Sequence, residues 1–485
     1  MKLRALWEAA FPGHTPPGPD LEISGIECDS RRVEKGFLFV AIRGVQKDGA
    51  QFVDEAVARG AAAVVGEAAA RRGFPAPFLE VPDARHAAAR LAGAFHGFPS
   101  RRLQVIGITG TNGKTTCSFI LEHLLKAFGR VPGVIGTVNY RYADQVIPAS
   151  ETTPGPTKLQ PILARMAAAG CAYAVMEVSA HALAQNRTVA VDFEAALFTN
   201  LTQDHLDYFP TLDAYFNAKA KLFEGLAPGK LAVLNADDPR SDSLRGRTAA
   251  RVITYGLRED ADLRGLPREW RADSTGIELI WRRGSPVRAE SPLLGMHNVY
   301  NVLGALAVMA GLGFDLKEAA RRLEGFGGVP GRLEEVACGQ DFSVFIDYAH
   351  TPDGLENVLM SLKPYKKARL IAVFGCGGDR DRAKRPQMGS IAGRLCDYVF
   401  VTSDNPRSEN PAAIAEEICA GFPDGFKNYS VVLDRRKAIR QAFLAARRGD
   451  IVLLAGKGHE TMQIVGNDAI PFREREEAEK VLSGR

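Results

Sequence analysis

Residues 103 to 116 read LQVIGITGTNGKTT, an apolar run of strand length, glycines at 107, 110 and 113, and then the first residues of a helix. No other stretch constrains the fold as tightly, because a buried strand that turns at once into a helix needs a parallel neighbour reached by a crossover. The alternation recurs: AYAVMEV precedes a helix from Ala180, and AALFTNL and KLAVLNA follow. It restarts at SVFIDYA, ARLIAVFG, DYVFVTS and DIVLLAG, after a stretch from Gly325 to Gly331 dominated by Gly and Pro. A chain of 485 residues also exceeds what one hydrophobic core serves. The expected fold class is therefore α/β with three domains. Residues 1–100 form a small N-terminal α/β domain of short strands and an Ala-rich helix, closed by a linker at Phe98–Arg102. Residues 101–330 form a central P-loop-type domain on a parallel sheet, and residues 331–485 a C-terminal Rossmann-like α/β domain.

The charge balance narrows the partners. A net charge of +4 and no block of like charges give no surface for a polyanion, so nucleic acid is not expected, while a small anionic substrate met by a few arginines is compatible. MKLRALWEAAFPGH does not read as a signal peptide, and no window approaches the roughly 18 to 20 apolar residues of a membrane span. The seven cysteines are scattered without a C-x-x-C pair, which fits free thiols in the cytoplasm better than disulfides or a zinc site.

GITGTNGKTT has the context that gives a phosphate loop its meaning. Its glycines let backbone N–H groups converge on phosphate oxygens, the helix N-terminus adds positive potential, and Lys114 and Thr115 suit phosphate and Mg²⁺. The strict spacing would place glycine at Ile108, so this is the shorter form G-x-x-G-K-T. Glu177 ends an apolar strand, where a carboxylate is costly unless it is paired, caps the next helix or binds metal. Arg407 lies in TSDNPRSENP, a turn pinned by Pro406 and Pro411 at the expected carboxyl edge of a sheet, so its planar fork can hold a carboxylate at low entropic cost.

In this form GTNGKTT resembles the ATP loop of the Mur ligases and of their relatives, the folylpolyglutamate and cyanophycin synthetases. The similarity extends over essentially the whole chain. MEVSAHAL (176–183) and TNLTQDHLDYF (199–209) look like the family's Mg²⁺ segments, YFNAKAKLF (215–223) like the segment with its carbamylated lysine, and GMHNVYNVLGA (295–305) like its adenine-binding helix. CDSRRVEKGFLFVAIRG is similar to the uridine-nucleotide domain of the members that add the third amino acid.

The resemblance implies ATP and Mg²⁺ as cofactors. It puts Gly110, Thr111, Asn112, Gly113, Lys114, Thr115 and Thr116 on the phosphates, and Asn298, Arg332 and Asp347 elsewhere on the nucleotide. The metal falls to Thr115, Glu177, His205 and a carbamylated Lys219, and the catalytic set is Lys114, Glu177, His205 and Lys219. Spacing alone does not distinguish Lys219 from Lys221, and a lone His205 in a polar loop carries little signal by itself.

The same resemblance implies an acid–amino-acid ligase with UDP-N-acetylmuramoyl-L-alanyl-D-glutamate and meso-diaminopimelate as partners, serving peptidoglycan precursor synthesis as a cytoplasmic monomer. Ser30, Thr152, Thr153, Ser179, Gln185 and Arg187 match positions facing the first substrate, and the loop Val45-Gln46-Lys47-Asp48-Gly49 has the Asp-Gly form seen in part of the family. DNPR, here Asp404, Asn405, Pro406 and Arg407, is similar to the signature for diaminopimelate, whose far end carries a carboxylate and an ammonium. Gly456 and Glu460 of AGKGHETMQ join them, with one arginine of GCGGDRDRAKRPQMG. The spacing leaves Arg380, Arg382 and Arg385 open, and Arg380 on its glycine turn is the expected contact. The far end of L-lysine has no carboxylate to meet Arg407, folylpolyglutamate synthetases lack a uridine-type N-terminal domain, and a GTPase switch would need an N-K-x-D signal that is missing.

Overall fold

The computed structural model describes residues 1–484 apart from 17, 45–47, 69–75, 206–207 and 272–273, so Val45, Gln46 and Lys47 of the Asp-Gly loop lie outside the described residues. Among the described residues three large sheets carry the chain, with one two-stranded hairpin, Met462–Val465 and Asp468–Pro471, beside the third. The first is all parallel, in the order Gly25–Glu27, Phe37–Ala41, Ala63–Gly66, Phe78–Glu80. Phe98–Arg102 is not a loose tether. Pro99–Arg102 is a 3₁₀ turn with Pro99 and Ser100 buried, and the guanidinium of Arg101 lies 4.4 Å over the Phe98 ring.

The central sheet has 11 strands. Its middle is parallel, in the order Arg251–Gly256, Leu231–Asn235, Phe193–Phe198, Gln104–Thr109, Tyr173–Glu177, Pro132–Ile135. These strands are buried over most of their length, as parallel strands covered on both faces must be. Alternate residues of one strand feed opposite cores. Ile106 and Ile108 pack with the helices Lys114–Ala127 and Met296–Gly311, whereas Val105 packs with Pro156–Ala168 and Leu212–Glu224. On one side Leu263–Trp270 joins Arg251–Gly256 in parallel and continues as an antiparallel arm with Thr275–Trp281 and Val287–Ser291, and on the other Asn139–Tyr142 with Gln145–Pro148 forms a second antiparallel arm. Register decides the site: Ile108 pairs with Glu177 and Thr109 with Phe198, so the glycine turn leaves the sheet beside the end of both neighbours.

The third sheet has 6 strands. Glu334–Glu335 pairs antiparallel at one edge, followed in parallel by Ser343–Asp347, Ile451–Ala455, Leu370–Phe374, Tyr398–Val401 and Tyr429–Val431. The last strand in sequence is thus inserted near the middle. That reversal of strand order opens a crevice at the carboxyl ends, where Asp347, Gly375–Arg380, Thr402–Arg407 and Gly456–Glu460 emerge. Among the described residues no helix is long and apolar enough to cross a membrane.

Beneath this crevice lies an ion pair with both side chains 0% exposed, Arg435 and Glu474. Arg435 Nε donates to Glu474 Oε1 at 2.8 Å, and its Nη2 donates to the carbonyl of Ala455, the last strand residue before Gly456. Removing one partner of such a pair strands a charge in the core. Arg435→Ala is expected to lower the unfolding free energy by about 3–5 kcal/mol, read as a fall in the urea midpoint. Replacing both, Arg435→Met with Glu474→Leu, is expected to restore most of that loss.

Candidate functional site

The turn after Gln104–Thr109 is packed so closely that only glycine fits. Gly110 has φ +151° and a Cβ there would stand 1.8 Å from Thr199 Oγ1; Gly113 has φ +88° and a Cβ would stand 2.2 Å from Asn301 Oδ1. The turn is fixed from outside as well: Thr111 N donates to the Asn200 carbonyl at 2.9 Å and Asn112 N to Asn200 Oδ1 at 3.0 Å. Lys114 opens the helix, and its Nζ folds back onto the carbonyls of Gly110 and Thr111 at 2.9 and 2.8 Å. Burial lowers its pKa, with the carboxylate of Glu177 pulling the other way.

Glu177 is 1% exposed, and the partners of its carboxylate are neutral donors. Hydroxyls and a backbone amide take the place of a cation: Thr115 Oγ1 and Thr137 Oγ1 donate to Oε2 at 2.9 and 3.0 Å, and Thr137 N donates to Oε1 at 3.0 Å. Thr137 was not foreseen from sequence, although the GTV turn that carries it opens with Gly136, where a Cβ would stand 2.2 Å from Glu177 Oε1. Lys219 is 1% exposed and donates to the Gly110 carbonyl at 2.8 Å, with its Nζ 4.2 Å from the centre of the Tyr215 ring. Burial, reinforced by Lys114, holds its pKa well below the ordinary lysine value. His205 sits at the rim in a left-handed backbone conformation, φ +55°, with its imidazole 3.5 Å from Asp204.

These groups line one cavity of about 300 Å³, and its far wall comes from the third sheet's unit. Thr152, Ser179, Asn298, Arg332 and Asp347 also border it. Asn298 is buried, donating to the Leu294 carbonyl and accepting from Asn301 Nδ2 at 3.0 Å. Arg332 lies 4.7 Å over the Tyr348 ring, and its buried Nε has no partner in the protein. Asp347 is less free than its position at a strand end suggests. Its two oxygens accept from Leu333 N and Ala349 N at 2.7 and 2.8 Å, which organises the turn around Arg332. A direct bond spans the cavity mouth: Asn112 Nδ2 donates to Asp353 Oδ2 at 2.9 Å, and Asp353 is another residue that sequence reasoning missed.

The second constellation lies beside the first, joined to it where Gly456 N donates to the Asp347 carbonyl at 3.0 Å and where the Tyr348 ring packs tilted against His459, ring centres 4.9 Å apart. Arg407 is half-buried with φ +50°, a conformation unfavourable for a side chain of that size. The backbone overrides the preference: Arg407 N donates to the Ile464 carbonyl at 3.1 Å, and Gly466 N donates to the Arg407 carbonyl at 2.7 Å. Its Nη1 reaches the Gly378 carbonyl at 2.7 Å. Asn405 is saturated on its oxygen, which accepts from Lys457 Nζ and Ile464 N, both at 2.9 Å, while its Nδ2 donates to Glu460 Oε2. Asp404 Oδ2 is buried without a partner, facing Gly456. Pro406 is buried beneath the turn. Of the three arginines left open, Arg385 is 0% exposed between Glu409 and Glu417, Arg382 pairs with Glu417, and Arg380 is exposed with its Nη1 on the Asp379 carbonyl at 3.2 Å.

The remaining residues fall on the side facing the first sheet. Thr153 Oγ1 donates to the Glu177 carbonyl at 2.8 Å, and Ser179 caps the helix Ala180–Ala184. Arg187 pairs with Glu151 and takes the oxygen of Gln185 through two nitrogens at 3.1 and 2.8 Å. Ser30 stands apart from the cavity, donating to Glu55 Oε2 at 2.6 Å. Thr157 Oγ1, donating to Glu27 at 3.2 Å, ties that sheet to the central one.

Comparison with known proteins follows the same three-part order. The family model "Mur ligase family, catalytic domain" matches residues 22–96, "Mur ligase middle domain" residues 108–309, and "Mur ligase, glutamate ligase domain" residues 331–458. The chain is 48% identical over 471 residues, 96% of its length and 95% of the relative's, to a Gloeobacter violaceus protein named UDP-N-acetylmuramoyl-L-alanyl-D-glutamate--2,6-diaminopimelate ligase. A Geobacillus kaustophilus protein of the same name is 44% identical over 474 residues, 96% of each chain. A solved structure of a ligase of that name superposes with a TM-score of 0.71 at 33% identity, covering 100% of this chain and 99% of that one. A MurF ligase from Thermotoga maritima, solved in complex with ADP, shares the fold at 22% identity with a TM-score of 0.65, over 95% and 98% of the two chains. Matched along its whole length at these identities, with three successive domains in one order, the chain belongs to the Mur ligase family.

Proposed function

We infer that the protein is an ATP-dependent amide ligase that joins meso-2,6-diaminopimelate to UDP-N-acetylmuramoyl-L-alanyl-D-glutamate, working through units bounded near residues 1–100, 101–330 and 331–485. One observation carries the reading: the phosphate loop, Glu177 and Lys219 share a cavity with Arg332 and Asp347, and the Arg407 cluster lies one turn beyond it. A nucleotide, an acyl donor and the amine that attacks it need that adjacency. The seven free cysteines suit the cytoplasm, where such precursors are made.

The residues fit the groups that the reading requires. The loop's N–H groups and Lys114 would hold the phosphates of ATP, with Asn298 and Arg332 on the remainder of the nucleotide. Thr115, Glu177, a carbamylated Lys219 and His205 would hold Mg²⁺. The hydroxyl of Thr115 and the carboxylate of Glu177 are already 2.9 Å apart, and hard oxygen donors completed by phosphate are what Mg²⁺ takes. When bound, the cation would neutralise charge on the transferred phosphoryl group.

The muramoyl dipeptide is received by Thr152, Thr153, Ser179, Gln185 and Arg187, with Ser30 toward its uridine end. Its terminal carboxylate takes the phosphoryl group, giving an acyl phosphate, and the amine of diaminopimelate then displaces phosphate to form the amide. Arg407 and Arg380 orient the amino acid by its far carboxylate, and Asp404 and Glu460 by its far ammonium. Phosphate release is expected only when ATP, the UDP-dipeptide and diaminopimelate are all present, followed by a coupled phosphate assay over a panel of amino acids. Hydrolysis at full rate without dipeptide or amino acid would overturn the reading.

A further inference from the structure

Among the charged groups of the Arg407 cluster, Lys457 is one to which the reading above gives no role. Its side chain is 0% exposed, and its Nζ donates to Asn405 Oδ1 at 2.9 Å, Glu460 Oε2 at 2.5 Å and the Met462 carbonyl at 2.6 Å. A buried ammonium persists only where its three protons meet acceptors, and this one meets three. Each acceptor belongs to a different piece of the site: the DNPR turn, the GKGHE loop and the hairpin that starts with Met462–Val465. That hairpin also holds the backbone of Arg407 through Ile464 and Gly466.

The charge count is as informative as the connections. Asp404 and Glu460 bring two carboxylates to the edge of Gly456, and Lys457 and Arg407 bring two positive charges, so the cluster is neutral and suits a far end that pairs one ammonium with one carboxylate. Asp404 Oδ1 accepts from Asn405 N at 2.7 Å, and the carboxylate oxygens left open to a ligand are Asp404 Oδ2, buried without a partner, and Glu460 Oε1.

We propose that Lys457 is a positioning residue that sets the amino-acid selectivity of this site. By occupying Asn405 Oδ1 and one oxygen of Glu460, it leaves acceptors for a single incoming ammonium and holds Arg407 alongside for that substrate's carboxylate. The inference rests on the reading that the site takes an amino acid whose far end carries both charges. Without Lys457 the pocket has an excess of negative charge and a slack Arg407. It then suits a substrate with a bare far ammonium, such as L-lysine, better than one that also brings a carboxylate.

The test compares full-length wild type with Lys457→Met, and with Lys457→Gln, which keeps a donor at similar reach should the methionine variant not fold. The rates of ATP- and UDP-dipeptide-dependent phosphate release are measured with meso-diaminopimelate and with L-lysine. The expected result is a fall of at least roughly tenfold in kcat/KM for diaminopimelate, a smaller fall or a rise for L-lysine, and KM values for ATP and UDP-dipeptide within about twofold of wild type. In a Glu460→Gln background the same substitution is expected to add little, because Lys457 acts through that carboxylate. Loss of both amino acids in equal proportion, a parallel rise in the KM for ATP, or unchanged selectivity would each overturn the proposal. Wild type that releases phosphate no faster with diaminopimelate would instead overturn the proposed function.

Discussion

Arg407→Ala is expected to lower kcat/KM for meso-diaminopimelate by about 100- to 1000-fold, roughly 3–4 kcal/mol, while the KM for ATP stays within about twofold. The size follows from how the guanidinium is held. Nη1 is pinned on the Gly378 carbonyl at 2.7 Å and the backbone is fixed on both sides, so little entropy is lost when a carboxylate arrives. Truncation removes charge-assisted bonds from a half-buried site and leaves the substrate's carboxylate without its partner. Alanine at φ +50° keeps the backbone strain that arginine already bears there, of order 1–2 kcal/mol. Arg407→Gly separates the two effects, because glycine accepts that conformation; it is expected to lose as much activity as alanine while retaining more stability. Steady-state kinetics with a thermal melt of each variant decide the matter. Equal loss of ATP and diaminopimelate would mean that Arg407 does not face the amino acid.

The second large effect is expected at Lys219. Lys219→Ala should cut kcat by about 10²- to 10³-fold, the usual cost of losing a group that stabilises charge at the reacting centre. Lysine amines are ordinarily protonated and inert toward CO₂. Here burial, with Lys114 nearby, depresses the pKa well below the usual value and enlarges the neutral fraction. A neutral amine adds CO₂ and releases a proton, and a carbamate on Lys219 would offer an anionic oxygen to the cavity that Thr115 and Glu177 also line. The sign of the pH dependence follows: protons compete with CO₂ for the same nitrogen, so carbamate forms least in acid. Carbon NMR of the wild-type enzyme in labelled bicarbonate should show a carbamate resonance that Lys219→Ala lacks. Retention of more than half the activity by that variant would remove Lys219 from the reaction.

The parallel strands were legible because they repeat one local message, apolar run, glycine, helix, and each of the eight quoted runs became a parallel strand. The antiparallel arms of the central sheet were not. Leu263–Trp270 mixes exposed and buried positions and contains Pro267, so its local pattern resembles a loop, and pairing with Arg251–Gly256 at its start and with Thr275–Trp281 along its length makes it a strand. The site divides in the same way. Glycine geometry at 110 and 113 is local and could be read directly. Thr137, Asp353 and Lys457 act through partners far along the chain, 241 residues away for Asn112 and Asp353, and a lysine by itself reads as surface. Lys219 lay in view for the opposite reason: family pattern singled it out, and the physical cause, its burial, became visible only in three dimensions.

The left-handed backbone at Arg407, locked to Ile464 and Gly466, bears on any attempt to re-engineer which amino acid such a ligase accepts. An arginine moved without the segments that hold its backbone would lose the bearing it has here. A graft needs the hairpin Met462–Val465 with Asp468–Pro471 as its second half, so substrate choice is inherited as a two-part cassette rather than edited one letter at a time.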